Sequence, residues 1–442
     1  MFPHARRTRL LAVAAIASTV ALTAACSGGG ESAEANEDGT PSGDLLVLTW
    51  RTDLLEDGTF DEYAERFNEE YPDVDVEFEG LTDYEGEVRT RMNTDDYGDV
   101  LGVVGTVTPD QFPDFFEPLG DVEELETEYR FLRDKTFDGQ AYGIPVVGNT
   151  QGIVYNKTVW EDAGITEPPT TPEDFVDALK AIKENDPEVV PLYTNYKDGW
   201  PLTQWEGHRG EITANPDYVN EMAQSDAPWT EGTDHYVIDS LLWDVVNQGL
   251  TEEDPTTTNW EESKSLLANG RIGSMVLGSW AIQQMQAAAE DAGTGADTIG
   301  YLPFPHQVDG TFYAAVGGDY NLAINKNSEN KVAARAWIDW FNTESGYAEA
   351  NGGLSPLKEG PTPDTLKDFE ALGVEYLELT PAPAGKESLF ADIDAESEVG
   401  TNTPDYRQRI VDAARGASGE TKDQIFDDLN SEWAAGRAAV EG

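Results

Sequence analysis

Eleven tryptophans punctuate the chain, and two of them stand where an indole can meet a ligand. Trp200 sits in Asp198-Gly199-Trp200-Pro201 and Trp280 in Gly278-Ser279-Trp280, both among loop-forming residues. An indole so placed can stack on the apolar face of a sugar ring while neighbouring Asp, Asn and Arg side chains hydrogen-bond the hydroxyls. Trp205, Trp229 and Trp260 also lie in polar, Gly- or Pro-flanked surroundings, whereas Trp243 and Trp337 fall inside amphipathic helical patterns and are expected to pack.

Other chemistries find little support. The chain has no G-x-x-x-x-G-K-[ST] segment, Gly293-Thr294-Gly295 lacks the third glycine of a dinucleotide fingerprint, and no G-x-S-x-G elbow occurs. His208, His235 and His306 are scattered and none belongs to H-E-x-x-H, so they read as hydrogen-bonded or surface residues. Asp392-Ile393-Asp394-Ala395-Glu396 alternates oxygen donors, but Ser397 and Thr403 stand where a calcium loop needs Gly and Glu. Carboxylate pairs for glycoside hydrolysis occur at every spacing among 85 Asp and Glu and carry no information. No cofactor or metal is expected.

The chain of 442 residues is long enough for two to three domains, and 10% aromatic residues supply core material despite a formal net charge of -57. Such a surface repels phosphate backbones, which argues against nucleic acid as a partner. At the N-terminus, Arg6, Arg7 and Arg9 precede an apolar stretch from Leu10 to Ala25. Its 16 residues fall short of the roughly 20 that span a membrane, so residues 1–25 read as a signal peptide. Cys26, the only cysteine, follows Leu22-Thr23-Ala24-Ala25 in the manner of a bacterial lipoprotein processing box and is the expected lipid attachment point. Residues 26–43, rich in Gly, Ser, Ala and Glu, read as a flexible tether between the membrane anchor and the folded body.

The elements that must position the tryptophans follow from periodicity. Leu45–Trp50, Val74–Phe78 and Asp99–Val104 read as strands, separated by helices over Phe60–Tyr71 and Tyr84–Asn93, which is the pattern of a parallel α/β domain. Strand-like stretches follow at Gly139–Val147 and Gly152–Lys157, then a helix over Glu173–Glu184 capped by Thr171. Further helices are expected at 234–248, 260–268, 280–290 and 331–342, and strands at 272–277 and 320–324. After Gly352 the pattern is mostly Pro-punctuated helix, including 405–414 and 421–433.

In order and spacing, several segments are jointly recognisable. They are the Trp after the first strand, Phe67-Asn68-Glu69-Glu70-Tyr71-Pro72, Tyr142-Gly143-Ile144-Pro145, Tyr155-Asn156-Lys157, Pro168–Pro172, Asn269-Gly270-Arg271-Ile272-Gly273-Ser274-Met275 leading to Gly278-Ser279-Trp280, Leu302-Pro303, and Gly317-Gly318-Asp319. From about Asp44 to Trp433 the chain resembles the extracellular solute-binding proteins of ABC importers, in the family that includes maltose-binding protein. The resemblance implies a two-lobed α/β fold, periplasmic-binding-protein-like and of type II, that closes on its ligand by a hinge. Lobe 1 would comprise residues 44–146 plus 315–358, and lobe 2 residues 147–314 plus 359–442.

By position, the resemblance places Arg51, Asp53, Asn149 and Asp319 where they would hydrogen-bond a sugar, and Trp200 and Trp280 where they would stack on it, with Tyr193, Asn195 and Trp205 as additions from the same loop region. Gly102-Val103-Val104-Gly105-Thr106 carries no aromatic where maltose-binding protein has one, which implies a ligand other than maltose in that subsite. The implied protein is a monomeric, non-enzymatic saccharide receptor. It would be exported and lipid-anchored to the outer face of the cytoplasmic membrane, where it would serve ABC transporter permease subunits. A receptor for a polyol or peptide, or a secreted glycoside hydrolase, are the alternatives.

Overall fold

The computed structural model describes residues 39–441. Residues 1–38, with the expected signal peptide, Cys26 and most of the expected tether, lie outside the described residues. Gly43, read as the end of the tether, already pairs with Val74 in the first sheet.

Three parallel strands open the fold: β1 (Gly43–Thr49), β2 (Val74–Gly80) and β3 (Val100–Gly102). The chain then runs through β4 (Val147–Asn156), β5 (Val190–Leu192), β6 (Ile272–Gly278) and β7 (Ile299–Leu302). It returns along β8 (Thr311–Asp319) to β9 (Leu322–Ile324), and adds β10 (Glu375–Glu378) late. Lobe 1 is built on a sheet in the order β9-β3-β1-β2, with β9 antiparallel. The second sheet joins β8, β4, β6 and β5 in that order, with β7 also on β4 and β10 also on β8.

Alternation along β1 shows why a continuous apolar run was needed. Leu45 and Val47 face the helices Thr59–Glu70 and Lys331–Thr343, while Leu48 faces the opposite side with Val88 and Leu101. A parallel strand covered on both faces must be apolar on both. Phe67 meets Trp337 edge-on at 5.1 Å between the two helices, and each such buried aromatic contributes about 1.5–3 kcal/mol by desolvation. Helix Pro172–Asn185 begins as its sequence dictates, with Thr171 Oγ1 accepting the Asp174 amide at 3.1 Å and Pro172 at the first helical position.

Two features differ from the sequence reading. Residues 139–147 make only the short strand Gln140–Ala141 before β4, because Gly143 and Pro145 interrupt the run. The tail beyond Gly352 is not all helix, since β10 pairs in parallel with β8 through Tyr313–Val316. The alternating acids at 392–396 lie in the helix Leu389–Ser397, where Asp394 points away from the face that Asp392 and Glu396 share, so the three do not converge.

The hinge region is formed by β4 and β8, whose first and last residues pair antiparallel: Asn149 opposite Gly317, and Gly148 opposite Gly318. Of these, Gly148 and Gly318 lie under the Phe131 side chain. A Cβ at Gly148 would fall 2.4 Å from its ring, and one at Gly318 would fall 2.7 Å from Pro145 and 2.8 Å from Phe131. Only glycine permits this approach.

Candidate ligand-binding cleft

On the lobe 1 side, the chain leaving β1 presents Trp50, Arg51 and Asp53. The Arg51 guanidinium donates through Nε and Nη2 to the Asp53 carboxylate at 2.9 and 2.8 Å, and through Nη1 to Tyr347 Oη at 2.9 Å and Asn351 Oδ1 at 2.7 Å. Arg51 therefore spends most of its donors within the lobe. The Asp53 side chain remains 63% exposed, and its hydrogen bonds from Arg51 hold its carboxyl below the usual range. The pair thus offers a fixed, ionised acceptor whose remaining lone pairs point to solvent.

Trp50 covers β3: a Cβ at Gly102 would lie 2.2 Å from its ring. The indole is braced edge-on by Tyr84 at 5.0 Å and lies against Tyr320 at 4.5 Å. Tyr84 Oη in turn accepts the Gly102 amide at 2.7 Å. The segment Gly102–Thr106, itself without an aromatic, is thus covered by one from just after β1, a proximity that sequence spacing alone does not reveal.

At the hinge, Asn149 Nδ2 donates to Asp319 Oδ2 at 3.2 Å, and Ser279 Oγ donates to Asn149 Oδ1 at 3.3 Å. Burial pushes the Asp319 carboxyl above its usual range, against the hydrogen bonds from the Tyr320 amide and Asn149. Contacts therefore run without a break from Trp50 through Tyr320, Asp319 and Asn149 to Ser279, the residue before Trp280.

The lobe 2 side is aromatic. Trp200, Trp260 and Trp280 form a triangle with centroid separations of 4.9, 5.7 and 5.8 Å, each only partly buried. Asp198 ties two of their segments together, since its Oδ2 accepts the Trp260 amide at 2.8 Å two residues before Trp200. By sequence Trp260 is only a helix start, outside the expected site residues. Its one sequence signal is the Asn259 cap, which places it at the helix mouth beside the Trp200 loop.

Tyr193 packs partly buried near this cluster, and burial pushes its hydroxyl up to about 12. Two expected members are elsewhere. Trp205 is 2% exposed, because the short 3₁₀ turn Gln204–His208 directs it into the lobe 2 core. Asn195 is wholly buried, in the left-handed region at φ 54°, with Nδ2 against Met275 Sδ at 3.4 Å. Neither reaches the cleft surface. A hollow of about 370 Å³ elsewhere on lobe 2, lined by Asn156, Asn185 and Asn269, has no aromatic side chain and so lacks a stacking surface.

The profile of the bacterial extracellular solute-binding proteins matches residues 52–348. The chain belongs to that family. Among curated relatives, it is 25% identical over 373 residues to the diacetylchitobiose binding protein of Streptomyces coelicolor, covering 80% of this chain and 83% of that one. The melibiose/raffinose/stachyose-binding protein of Bacillus subtilis is 24% identical over 363 residues, covering 78% and 81%. Among solved structures, a binding protein of an ABC transporter from Bifidobacterium animalis subsp. lactis, in complex with mannobiose, superposes with a TM-score of 0.81 at 35% identity, covering 93% of this chain and 99% of that one. A manno-oligosaccharide specific solute binding protein from the same organism, in complex with mannotriose, gives 0.80 and 35% over the same shares. Membership in this family agrees with the two-lobed α/β architecture seen here.

Proposed function

We propose that this protein is an extracellular oligosaccharide receptor that binds its ligand between the lobes and hands it unchanged to an ABC importer. The observation that carries the reading is the Trp200–Trp260–Trp280 triangle, joined through Ser279 and Asn149 to Asp319 at the β4–β8 hinge, with the exposed acceptor Asp53 just after β1. Indole faces supply stacking, and the carboxylates and amide supply directional hydrogen bonds to hydroxyls. Arg51 acts in this scheme by holding Asp53, and Tyr193 by supporting the aromatic wall. Manno-oligosaccharides are the first ligand class to test, given the 35% identical binding proteins solved with mannobiose and mannotriose.

Residues 44–146 with 315–358, and 147–314 with 359–442, act as the two closing bodies. The ligand shifts the population toward closure by binding the closed form more tightly. Cys26 carries a lipid that retains the monomeric protein at the outer face of the cytoplasmic membrane, near its permease. The test is intrinsic tryptophan fluorescence of the protein from Cys26→Ser onward, titrated with mannobiose, mannotriose and a panel of other di- and oligosaccharides. A saturable change abolished by Trp280→Ala is expected; a response only to peptides or polyols would overturn the sugar assignment. Mass spectrometry of the membrane-extracted protein checks the acyl group on Cys26.

A further inference from the structure

Gln151 lies on β4 two residues beyond Asn149, and therefore on the same face of the strand, opposite Gly278 in the register with β6. Two glycines leave room for its side chain. A Cβ at Gly207 would lie 2.5 Å from Gln151 Cδ, and one at Gly278 would lie 2.6 Å from Trp280 Nε1 and 3.6 Å from Gln151 Nε2. The carboxamide and the pyrrole edge of Trp280 thus share the space above Gly278. Gln151 Oε1 is buried and meets no hydrogen-bond partner among the described residues.

An amide that merely braces a fold looks different. Asn156, on the same strand, donates through Nδ2 to the Leu267 carbonyl at 2.8 Å and accepts the Val159 amide at 3.1 Å through Oδ1. Buried polar atoms are nearly always paired; Asn195 Oδ1 also lacks a partner but its residue is wholly buried, whereas Gln151 is half-buried beside an aromatic platform and can take its partner from outside the chain. We propose that Gln151 contacts the ligand directly, its carboxamide reading two adjacent hydroxyls of the sugar ring stacked on Trp280. One amide edge presents an acceptor and a donor together, which matches a vicinal diol. This rests on the receptor reading and adds to it a residue that selects for hydroxyl pattern. A site that hydrogen-bonds a hydroxyl rejects the analogue lacking it.

The experiment compares wild type, Gln151→Ala and Gln151→Met by calorimetric titration with mannobiose, mannotriose and the tightest binder of a wider saccharide panel. Single-deoxy derivatives of that binder are titrated alongside. The Met variant keeps length and packing while removing both polar groups. Both variants are expected to bind about tenfold more weakly, the loss of about one net hydrogen bond, with melting temperatures at or above wild type. One deoxy derivative should bind wild type more weakly than its parent and the Met variant no more weakly than its parent. Affinities within twofold of wild type, or a deoxy penalty of the same size in wild type and variant, would overturn the assignment while leaving the receptor reading intact. If wild type binds no saccharide, the receptor reading fails and this inference with it.

Discussion

The clamp between Arg51 and Asp53 separates two roles that the residue types alone would merge. A guanidinium engaged by Asp53, Tyr347 and Asn351 has little left for a ligand, so its contribution passes through the carboxylate that it holds. Asp53→Asn is expected to weaken saccharide binding about tenfold by replacing a charged acceptor with a neutral one. Arg51→Met should do similar damage and also change the pH profile. Without Arg51 the Asp53 pKa returns upward to the ordinary carboxylate range, so the variant's residual affinity should fall more steeply than that of wild type as the pH drops toward 4. Identical pH profiles for the two proteins would show that Arg51 does not act through Asp53.

Lobe 2 is held together by elements lashed through buried charge. Arg407, fully buried on the helix Asp405–Ala414, donates to Glu206 at 2.7 Å and to Asp239 at 3.0 Å, while His235 Nε2 lies 3.2 Å from Glu206. Desolvation pushes the Glu206 carboxyl up, but His235, Arg209 and Arg407 together outweigh it and hold the group below its usual range. Arg407→Met leaves two buried carboxylates short of a partner and should cost about 3–5 kcal/mol in a denaturant melt.

Asp234, which starts the helix Asp234–Asn247, behaves in the opposite sense. Burial pushes its pKa up to about 6, despite hydrogen bonds from Thr213 and the Ile212 amide. A carboxyl with a raised folded pKa contributes stability that is complete below its unfolded pKa near 4 and is lost as the pH rises through 6. Asp234→Asn should therefore lose this dependence, and the stability of wild type relative to the variant should grow by up to about 3 kcal/mol between pH 7 and pH 4. Melting curves of both proteins across that range check the sign.

For the whole molecule, charge and hinge dominate. A net charge of -57 stores self-repulsion that salt screens, so the melting temperature should rise between low and moderate ionic strength. A flat response would show that the acids are spaced widely enough not to matter. Closure about β4 and β8 should reduce the radius of gyration in small-angle scattering when a saccharide is bound, and Trp280→Ala should abolish the reduction along with binding.

What the sequence by itself determined was local and periodic. Apolar runs located β1 and β6, the Thr171 cap located a helix start, and the loop setting of Trp200 and Trp280 pointed to stacking. These signals depend on residues within a few positions of one another. Tertiary structure decided which side chains meet. Trp50 fills the place above Gly102, Trp260 completes the triangle, and Trp205 turns inward although its local surroundings resemble those of Trp200. Arg407 finds its carboxylates 168 and 201 positions away. β10 becomes a strand only because β8 offers an edge to pair with. Burial and partnership are properties of packed elements, and no spacing along the chain encodes them.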